Sequence, residues 1–187
     1  MTKDLPSPEL LRKLLRYEPE TGRLFWRERT TDMFSKTGCG SQRGNAARWN
    51  SRYALKDALT VKQRDGYFQG IILGRSYLAH RVIWAVHFGS WPSQQIDHIN
   101  GNRADNRIEN LREVNSSENS QNSKKRKDNT SGFKGVSFDT RSGRWQAQIM
   151  KQGKSFHLGF YNAPEEASKA YIAASNRLHG EFARVMD

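Results

Sequence analysis

The stretch that decides the fold is residues 95–119, QIDHINGNRADNRIENLREVNSSEN. Its apolar residues predict a short strand over Ile96–Ile99 and a second strand over Asn110–Val114. The segment Asn100–Asn106 between them is rich in glycine and asparagine and predicts a loop. Ser116 is a good N-cap for a helix that follows at once. The stretch is therefore predicted to fold as strand, loop, strand and helix.

Four side chains in this stretch are suited to chemistry: Asp97, His98, Asn110 and Asn119. The predicted elements put Asp97 and His98 on the first strand and Asn119 in the first helical turn, so these three could converge on one ion. A carboxylate and an amide oxygen can hold a hard divalent cation, and an imidazole that is largely neutral at neutral pH can take a proton from water. Such a set is what metal-assisted phosphodiester hydrolysis needs. The other asparagines are expected only to form turns, namely Asn102, Asn106 and Asn115.

The charge distribution indicates a polyanionic partner. The chain has 187 residues, with 31 Lys and Arg against 19 Asp and Glu, and a net charge of +12. Residues 74–122 contain five basic and five acidic side chains, whereas the segments on both sides hold the basic excess. This distribution suits a cation site placed between flanks that bind phosphates.

Cys39 is the single cysteine of the chain. It excludes an internal disulfide and a cysteine-rich zinc site, and it is compatible with a reducing cytoplasm. No apolar run is long enough to span a membrane, and the first residues lack the apolar core of a signal peptide. We therefore expect a soluble, cytoplasmic protein without a membrane partner.

Local patterns predict several elements before the central stretch. Ser7-Pro8-Glu9 begins a short amphipathic helix, and Leu24-Phe25-Trp26 predicts a strand. A hairpin turning at Gly74 precedes a helix over Tyr77–Phe88. Residues 30–60 show little periodicity, so no element is assigned to them.

The chain after the central stretch changes in character. Residues 123–131 are charged and free of bulky apolar side chains, which predicts a linker. Its basic run favours phosphate binding along a duplex, with a nuclear localisation signal and ordinary solvated charge as alternatives; the run is Lys124, Lys125, Arg126 and Lys127. Three strands then follow, separated by turns at Ser142-Gly143 and Gln152-Gly153. A helix beginning at Pro164 completes the chain.

The segment AHRVIWAVHFGSWPSQQIDHINGNRADNRIENLREVNSSEN resembles the ββα-metal core of phage-type HNH endonucleases. The resemblance implies that Asp97 and Asn119 ligate a divalent metal ion and that His98 is the general base. It also implies that Asn110 orients the site by hydrogen bonds to the backbone. Some HNH enzymes have a third histidine where this chain has Asn119, and a neutral amide suits Mg²⁺ or Mn²⁺ better than zinc. Mg²⁺ is therefore the expected ion, Mn²⁺ is the second choice, and no structural zinc is expected.

Two further histidines lie in the helix before the central stretch. The family has a histidine at the position of His80, which favours a supporting role around the site, and a packed structural histidine is the alternative. His87 is expected to be structural.

Residues 132–179 resemble an APETALA2-type DNA-binding domain, through GFKGVSF, RWQAQI, FHLGFY and EEASKAYIAAS. In that family a three-stranded sheet lies in the major groove, backed by the helix. By strand alternation, the side chains expected to face the helix are Trp145, Ala147, Ile149, Phe156 and Leu158. The candidates for the DNA side are Lys134, Arg144, Gln146, Gln148, Lys154 and His157. Ser137 and Ser155 stand where the plant domains lead us to expect arginine, so this face is less basic than theirs.

These patterns and resemblances predict an α+β protein. An N-terminal α/β region, residues 1–66, extends an HNH ββα-metal core over 67–122, and a basic linker over 123–131 leads to a domain of three antiparallel strands and one helix over 132–187. The predicted function is a metal-dependent DNA endonuclease of the phage homing type, acting on double-stranded DNA inside a bacterial host cell. The alternatives are a DNA-binding regulatory or recombination accessory protein with an inactive nuclease core, and an RNA-binding or RNA-processing protein. A monomer is favoured for a nicking enzyme.

Overall fold

The computed structural model describes residues 5–35, 41–122, 128–180 and 183. The chain forms two compact units, Met1–Glu113 and Val114–Asp187. Each unit combines helices with small antiparallel sheets, so the predicted α+β class is confirmed. The domain boundaries inferred from the sequence stay predictions. None of the described helices is long and apolar enough to cross a membrane.

The first unit places its elements in three small sheets, β1-β2-β3, β4-β5-β6 and β7-β8. Its described helices are α1 (Pro8–Leu14), α2 (Gln42–Tyr53) and α3 (Ala79–Phe88), with turns of 3₁₀ helix at Thr31–Met33 and Ile108–Asn110. Its strands are β1 (Leu15–Glu18), β2 (Arg23–Trp26), β3 (Asp57–Ala58), β4 (Val61–Lys62), β5 (Phe68–Ile72), β6 (Arg75–Leu78), β7 (Gln95–His98) and β8 (Leu111–Val114), the last ending on the first residue of the second unit.

Helices α1 and α3 are joined through their ends. Ser7 caps α1 by accepting a hydrogen bond from the backbone of its first turn at 3.2 Å. Arg12 donates from Nε to the carbonyl of Val86 at 2.7 Å and from Nη2 to that of His87 at 3.2 Å. These carbonyls belong to the last turn of α3, where helical partners are missing, and Gly89 ends the helix with a φ of +75°.

One hydrophobic core unites the N-terminal region with the central stretch. Its buried members come from α1, β2, β5, α3, β7 and β8, and they include Leu11, Leu14, Leu24, Ile72, Val82, Ile83, Ile96 and Leu111. The N-terminal residues therefore fold in the same unit as Asp97 and His98, and they fix the frame on which β7 lies.

Helix α2 lies within residues 30–60, to which the sequence assigned no element. Ser41 caps it by accepting from the Gly44 amide at 3.1 Å. Ala46 is its buried residue, and Trp49 packs edge-on against Trp26 with ring centroids 5.7 Å apart. With so little apolar surface, the helix depends on these tertiary contacts more than on its own pattern.

The second unit contains α4 (Ser116–Gln121), β9 (Val136–Asp139), β10 (Arg144–Lys151), β11 (Lys154–Tyr161) and α5 (Pro164–His179). The prediction of Ser116 as N-cap of α4 is wrong by one residue. Asn115 Oδ1 accepts from the Glu118 amide at 3.0 Å, and Glu118 Oε2 accepts from the Asn115 amide at 2.8 Å. This reciprocal pair is a capping box, which an asparagine provides as well as a serine.

The sheet of the second unit has β10 between β9 and β11, all antiparallel. Ala147 and Ile149 on β10 are buried against α5, as predicted. Phe156 pairs with Ile149 and therefore lies on the same face of the sheet, as predicted, but it is 44% exposed. The register also shifts after Ala147, and this bulge interrupts the simple alternation of faces along β11.

Candidate active site

Asp97 is held in the site by Arg112, a residue that the sequence analysis did not select. Arg112 donates to Asp97 Oδ2 from Nε at 3.1 Å and from Nη2 at 2.9 Å. The two side chains are 15% and 8% exposed, respectively. A carboxylate this deeply buried requires a charged, hydrogen-bonding partner. The sequence feature that could have identified Arg112 is its position on β8, the strand that pairs with the strand carrying Asp97.

His98 is almost completely buried, at 2% exposure, and faces Asn106. The distance from His98 Nε2 to Asn106 Oδ1 is 3.0 Å. With the amide oxygen as acceptor, Nε2 carries the hydrogen and Nδ1 is the basic nitrogen. Burial lowers the pKa of His98, while the bond to Asn106 and the negative charge of Asp97 oppose that shift. The imidazole is therefore neutral at neutral pH, as a general base must be.

The expectation that Asn106 only forms a turn is wrong. Asn106 is 4% exposed, and its backbone carbonyl accepts a hydrogen bond from the Tyr17 hydroxyl at 3.0 Å. Burial raises the pKa of Tyr17 to about 12, which keeps this donor protonated. The turn between β1 and β2 packs closely on the same loop. A Cβ added at Gly22 would lie 2.5 Å from the backbone nitrogen of Arg107, which leaves no room for a side chain there. The N-terminal hairpin thus supports the residue that contacts His98.

Asn110 ties together both ends of the loop that follows His98. Its backbone carbonyl accepts from the Ile99 amide at 2.9 Å, and its side-chain oxygen accepts from the Asn100 amide at 2.9 Å. Its side-chain nitrogen donates to the Asp105 carbonyl at 2.7 Å. Hydrogen bonds to backbone are what the expected orienting role requires, and that role stays a prediction.

His80 lies on α3 beside His98 and is 4% exposed. Its ring is edge-on to the ring of His98 at a centroid distance of 5.3 Å and lies 4.9 Å from that of Tyr67. Within the described part of the chain, its Nδ1 has no hydrogen-bond partner. Burial, with smaller contributions from His98 and Arg81, lowers the pKa of His80 to about 3. His80 is therefore a neutral ring packed against the proposed base, and its supporting role stays a prediction.

Lowering the pH from about 7.5 to about 5 is expected to cost about 2 kcal/mol of stability through His80. Its folded pKa of about 3 lies below the ordinary value of 6.5, so the unfolded chain takes up the proton first. The stability that the neutral His80 ring contributes is fully present above the ordinary pKa of 6.5. It is lost as the pH falls towards the folded-state pKa of about 3. Urea unfolding followed by tryptophan fluorescence at both pH values measures the difference.

The matched variant for this test is His80→Gln, which keeps a polar side chain but does not titrate. Between the two pH values, this variant should lose about 2 kcal/mol less stability than the wild-type protein does. The lowered pKa of His98 remains in the variant and accounts for residual pH dependence in the same direction. A pH dependence identical to that of the wild type would contradict the prediction.

Asn119, the second proposed metal ligand, belongs to the second unit. It lies half-buried on α4, and its backbone amide donates to the Asn115 carbonyl at 3.0 Å. Among the described residues, no group of three or more His, Cys, Asp and Glu side chains could hold a metal ion. One carboxylate with one amide is a different donor set, and its hard oxygens fit Mg²⁺, which needs only one or two protein ligands besides water and phosphate. Joint ligation by Asp97 and Asn119 stays a prediction.

Five of the residues predicted for the DNA side lie on β10 and β11, and Lys134 lies in the turn before β9. Arg144, Gln148, Lys154 and His157 are exposed, and Lys134 and Gln146 are half-buried. Gln146 Nε2 and His157 Nδ1 lie 3.1 Å apart. Their contact with DNA stays a prediction, and the basic run from Lys124 to Lys127 lies outside the described residues.

Phe160 is a surface residue to which the sequence analysis assigned no face. Because of the bulge, Phe160 pairs with Gln146 and shares its face of the sheet, away from Ala147. It is 43% exposed, and its ring centroid lies 4.7 Å from that of His157. An exposed aromatic ring among these polar side chains adds an apolar contact point for a base or sugar.

Comparisons with known proteins identify both parts of the chain. The family model of HNH endonucleases matches residues 77–121, and the AP2 domain model matches residues 131–181. Protein 3.8 of Escherichia phage T7 is 35% identical over 106 residues, which cover 56% of this chain and 87% of that protein.

A solved structure described as DNA binding and cleavage by the HNH homing endonuclease I-HmuI is 16% identical and covers 99% of this chain and 94% of its own. Its TM-score of 0.38 is too low to support a conclusion about the fold or the site. The family assignment therefore depends on the sequence matches, and the HNH model spans the segment that contains Asp97, His98 and Asn110. This chain belongs to the phage HNH endonuclease family and carries a C-terminal AP2 domain.

Proposed function

We propose that the protein is a divalent-metal-dependent endonuclease that hydrolyses phosphodiester bonds in double-stranded DNA, with His98 as the general base. The observation that carries the proposal is the adjacent, buried pair Asp97 and His98, each side chain fixed by its own hydrogen-bonding partner. Burial of two polar groups side by side is costly, and structures retain such groups mainly where chemistry needs them.

The proposed proton transfer uses both nitrogens of His98. Nδ1 accepts a proton from the attacking water, and the oxygen of that water forms the new bond to phosphorus while the 3′ oxygen departs. Nε2 keeps its hydrogen, directed at Asn106 Oδ1, so the neutral ring is held before the transfer in the tautomer whose Nδ1 can accept a proton. The imidazolium that forms is stabilised by the nearby charge of Asp97.

The metal ion is proposed to be held by Asp97 and Asn119, with Mg²⁺ as the first choice and Mn²⁺ as the second. When bound, it would supply Lewis-acid stabilisation of the phosphate and of the departing oxygen. Arg112 would orient Asp97, since it donates to Oδ2 from both Nε and Nη2.

Target choice is proposed to lie with the second unit, in a homing-type division of labour. The outer face of its sheet presents residues that can read bases, with arginine and lysine suited to guanine and glutamine to adenine. The basic run Lys124–Lys127 would follow the phosphate backbone between the two parts. The proposed place of action is the bacterial cytoplasm, where the DNA of phage and host is found.

The Arg112–Asp97 ion pair is the one observation that favours a second function. If the guanidinium excludes a cation from Asp97, the core is inactive and the protein binds DNA without cutting it. It would then act as a regulatory or recombination accessory protein. The endonuclease would cut bound DNA when a metal ion is present, whereas the binding-only protein would leave it intact.

A plasmid assay tests the proposed function directly. Supercoiled DNA is incubated with the protein in Mg²⁺, in Mn²⁺ or in EDTA, and the relaxed and linear forms are separated on a gel. Conversion is expected with either metal and not with EDTA, and addition of excess Mg²⁺ to the EDTA sample should restore it. Retarded but intact plasmid in every metal would favour the binding-only function, and conversion in EDTA would rule out the metal-dependent one.

A further inference from the structure

Helix α2 presents a cationic surface outside the segments matched by the family models, residues 77–121 and 131–181. Its sequence, QRGNAARWNSRY, contains three arginines and no acidic residue. Arg43, Arg48 and Arg52 are all exposed. Such a concentration of unopposed charge on one short helix favours a polyanionic ligand.

Unlike several other arginines of the first unit, the α2 arginines face no opposing charge among the described residues, and the Arg52 guanidinium lies 5.4 Å from the ring centroid of Tyr53. Arg16 is paired with Glu18 and Arg23 with Asp57. By contrast, within the described part of the chain none of the three α2 arginines is in an ion pair or donates a hydrogen bond to a side chain or carbonyl. Asp32, in the 3₁₀ turn that packs against α2, is exposed and makes no ion pair among the described residues.

Most exposed positions of α2 lie on one broad side of the helix. At about 100° per residue, this side lies opposite Ala46 and Trp49; its residues are Arg43, Gly44, Ala47, Arg48, Ser51 and Arg52, and exposed Tyr53 lies on the opposite side. The positions between the arginines are occupied by glycine, alanine and serine. Small side chains there leave room for a bulky ligand to approach the helix while the longer arginines reach around it.

The helix is also firmly attached to the unit. Asn50 accepts from the Arg29 amide at 2.9 Å and donates to the Arg29 carbonyl at 3.0 Å. The Arg29 guanidinium lies 3.9 Å from the ring centroid of Trp49, and Gln42 donates to the Phe34 carbonyl at 2.7 Å. A surface fixed in this way loses little conformational freedom when it binds, so its charges act from defined positions.

We propose that α2 binds the sugar–phosphate backbone of duplex DNA through Arg43, Arg48 and Arg52, without reading sequence. Arg48 and Arg52 lie one turn apart on the same side of α2, and Arg43 extends the basic surface to the first turn of the helix, about 13.5 Å from Arg52 along the axis. The three guanidiniums can therefore contact successive phosphates along the backbone. The inference depends on DNA as the partner and not on cleavage.

The test measures DNA affinity as a function of salt concentration. Fluorescence anisotropy of a labelled duplex is recorded in EDTA with the full chain and with the triple variant Arg43→Gln, Arg48→Gln, Arg52→Gln. Three phosphate contacts should reduce the slope of log affinity against log salt by about 2 to 3 and weaken binding at low salt at least tenfold. Glutamine preserves helix propensity, and circular dichroism with thermal melting checks that the variant is folded.

A matched control removes three charges from other exposed surfaces of the same unit, through Lys13→Gln, Lys62→Gln and Arg64→Gln. This control should lose clearly less of the slope than the α2 variant. A second variant, Ala47→Glu, places a carboxylate between the arginines without removing a cation, and it should also weaken binding. Equal losses in the control and the α2 variant, or no loss in the α2 variant, would overturn the proposal.

The result can be separated from the fate of the proposed nuclease function because no cleavage occurs in EDTA. If the wild-type protein never cuts plasmid but the α2 variant shows a reduced slope, the proposal that α2 binds DNA is supported and the endonuclease proposal is rejected. An unchanged slope in a protein that cuts would do the reverse. Tighter binding of wild-type protein to duplex RNA than to duplex DNA, or no binding to the DNA duplex, would also overturn the inference.

Discussion

Replacing His98 with alanine is expected to lower the rate of DNA cleavage by about 10²- to 10⁴-fold, the range found when a general base is removed. DNA affinity should be nearly unchanged, because His98 is 2% exposed and offers no surface to the duplex in the first encounter. The rate is measured as single-turnover conversion of supercoiled plasmid in Mg²⁺. Affinity is measured separately by anisotropy in EDTA, so that a loss of cutting can be assigned to chemistry.

Two further variants control for folding. His87→Ala removes an exposed histidine from α3, where the ring packs on Tyr17 and Phe88, and should cut at the wild-type rate. His98→Gln keeps a polar group opposite Asn106, whose buried amide would otherwise lose its partner. Rapid cleavage by a folded His98→Gln protein would show that His98 is not the base.

The residues of the site could be predicted only where they carry a distinctive spacing. Asp97 and His98 stand out because they are adjacent and are followed by Asn110 and Asn119 at fixed intervals. Asn106 could not be singled out, since Asn100 and Asn102 nearby have the same turn-forming chemistry. Tertiary contacts distinguish Asn106 from these neighbours, namely those with the Tyr17 hydroxyl, with the turn at Gly22 and with the ring of His98.

The fold could be predicted where local patterns and tertiary packing agree. The hairpin before α3 and the three strands of the second unit have strong turn signals, and the structure contains them. Helix α2 has a single buried residue, Ala46, so its pattern was too weak to detect. Phe160 lies on the outer face because one bulge shifts the register of β11, and periodicity alone does not reveal a bulge.

The second large effect is expected from breaking the Arg112–Asp97 pair. Asp97→Asn leaves a guanidinium that is 15% exposed without its carboxylate, and Arg112→Met leaves the carboxylate without its cation. Each single change should destabilise the first unit by about 3 to 5 kcal/mol, the usual cost of removing one member of a buried ion pair. The double variant should recover much of that loss, and urea unfolding of all four proteins measures the coupling. A coupling near zero would show that the pair does not stabilise the fold.

Cleavage by the same variants separates the two functions considered for the protein. Asp97→Asn and the double variant should both lose at least about 100-fold in rate, because they lack the proposed metal-binding carboxylate. If Arg112 positions Asp97, Arg112→Met should need about 10- to 100-fold more Mg²⁺ for half-maximal cleavage, as seen when a residue that orients a ligand is lost. If Arg112 instead blocks the site of an inactive core, its removal should raise cleavage or create it. Because the two functions predict opposite signs for one substitution, the metal dependence of Arg112→Met decides whether the ion pair prepares Asp97 for catalysis or prevents it.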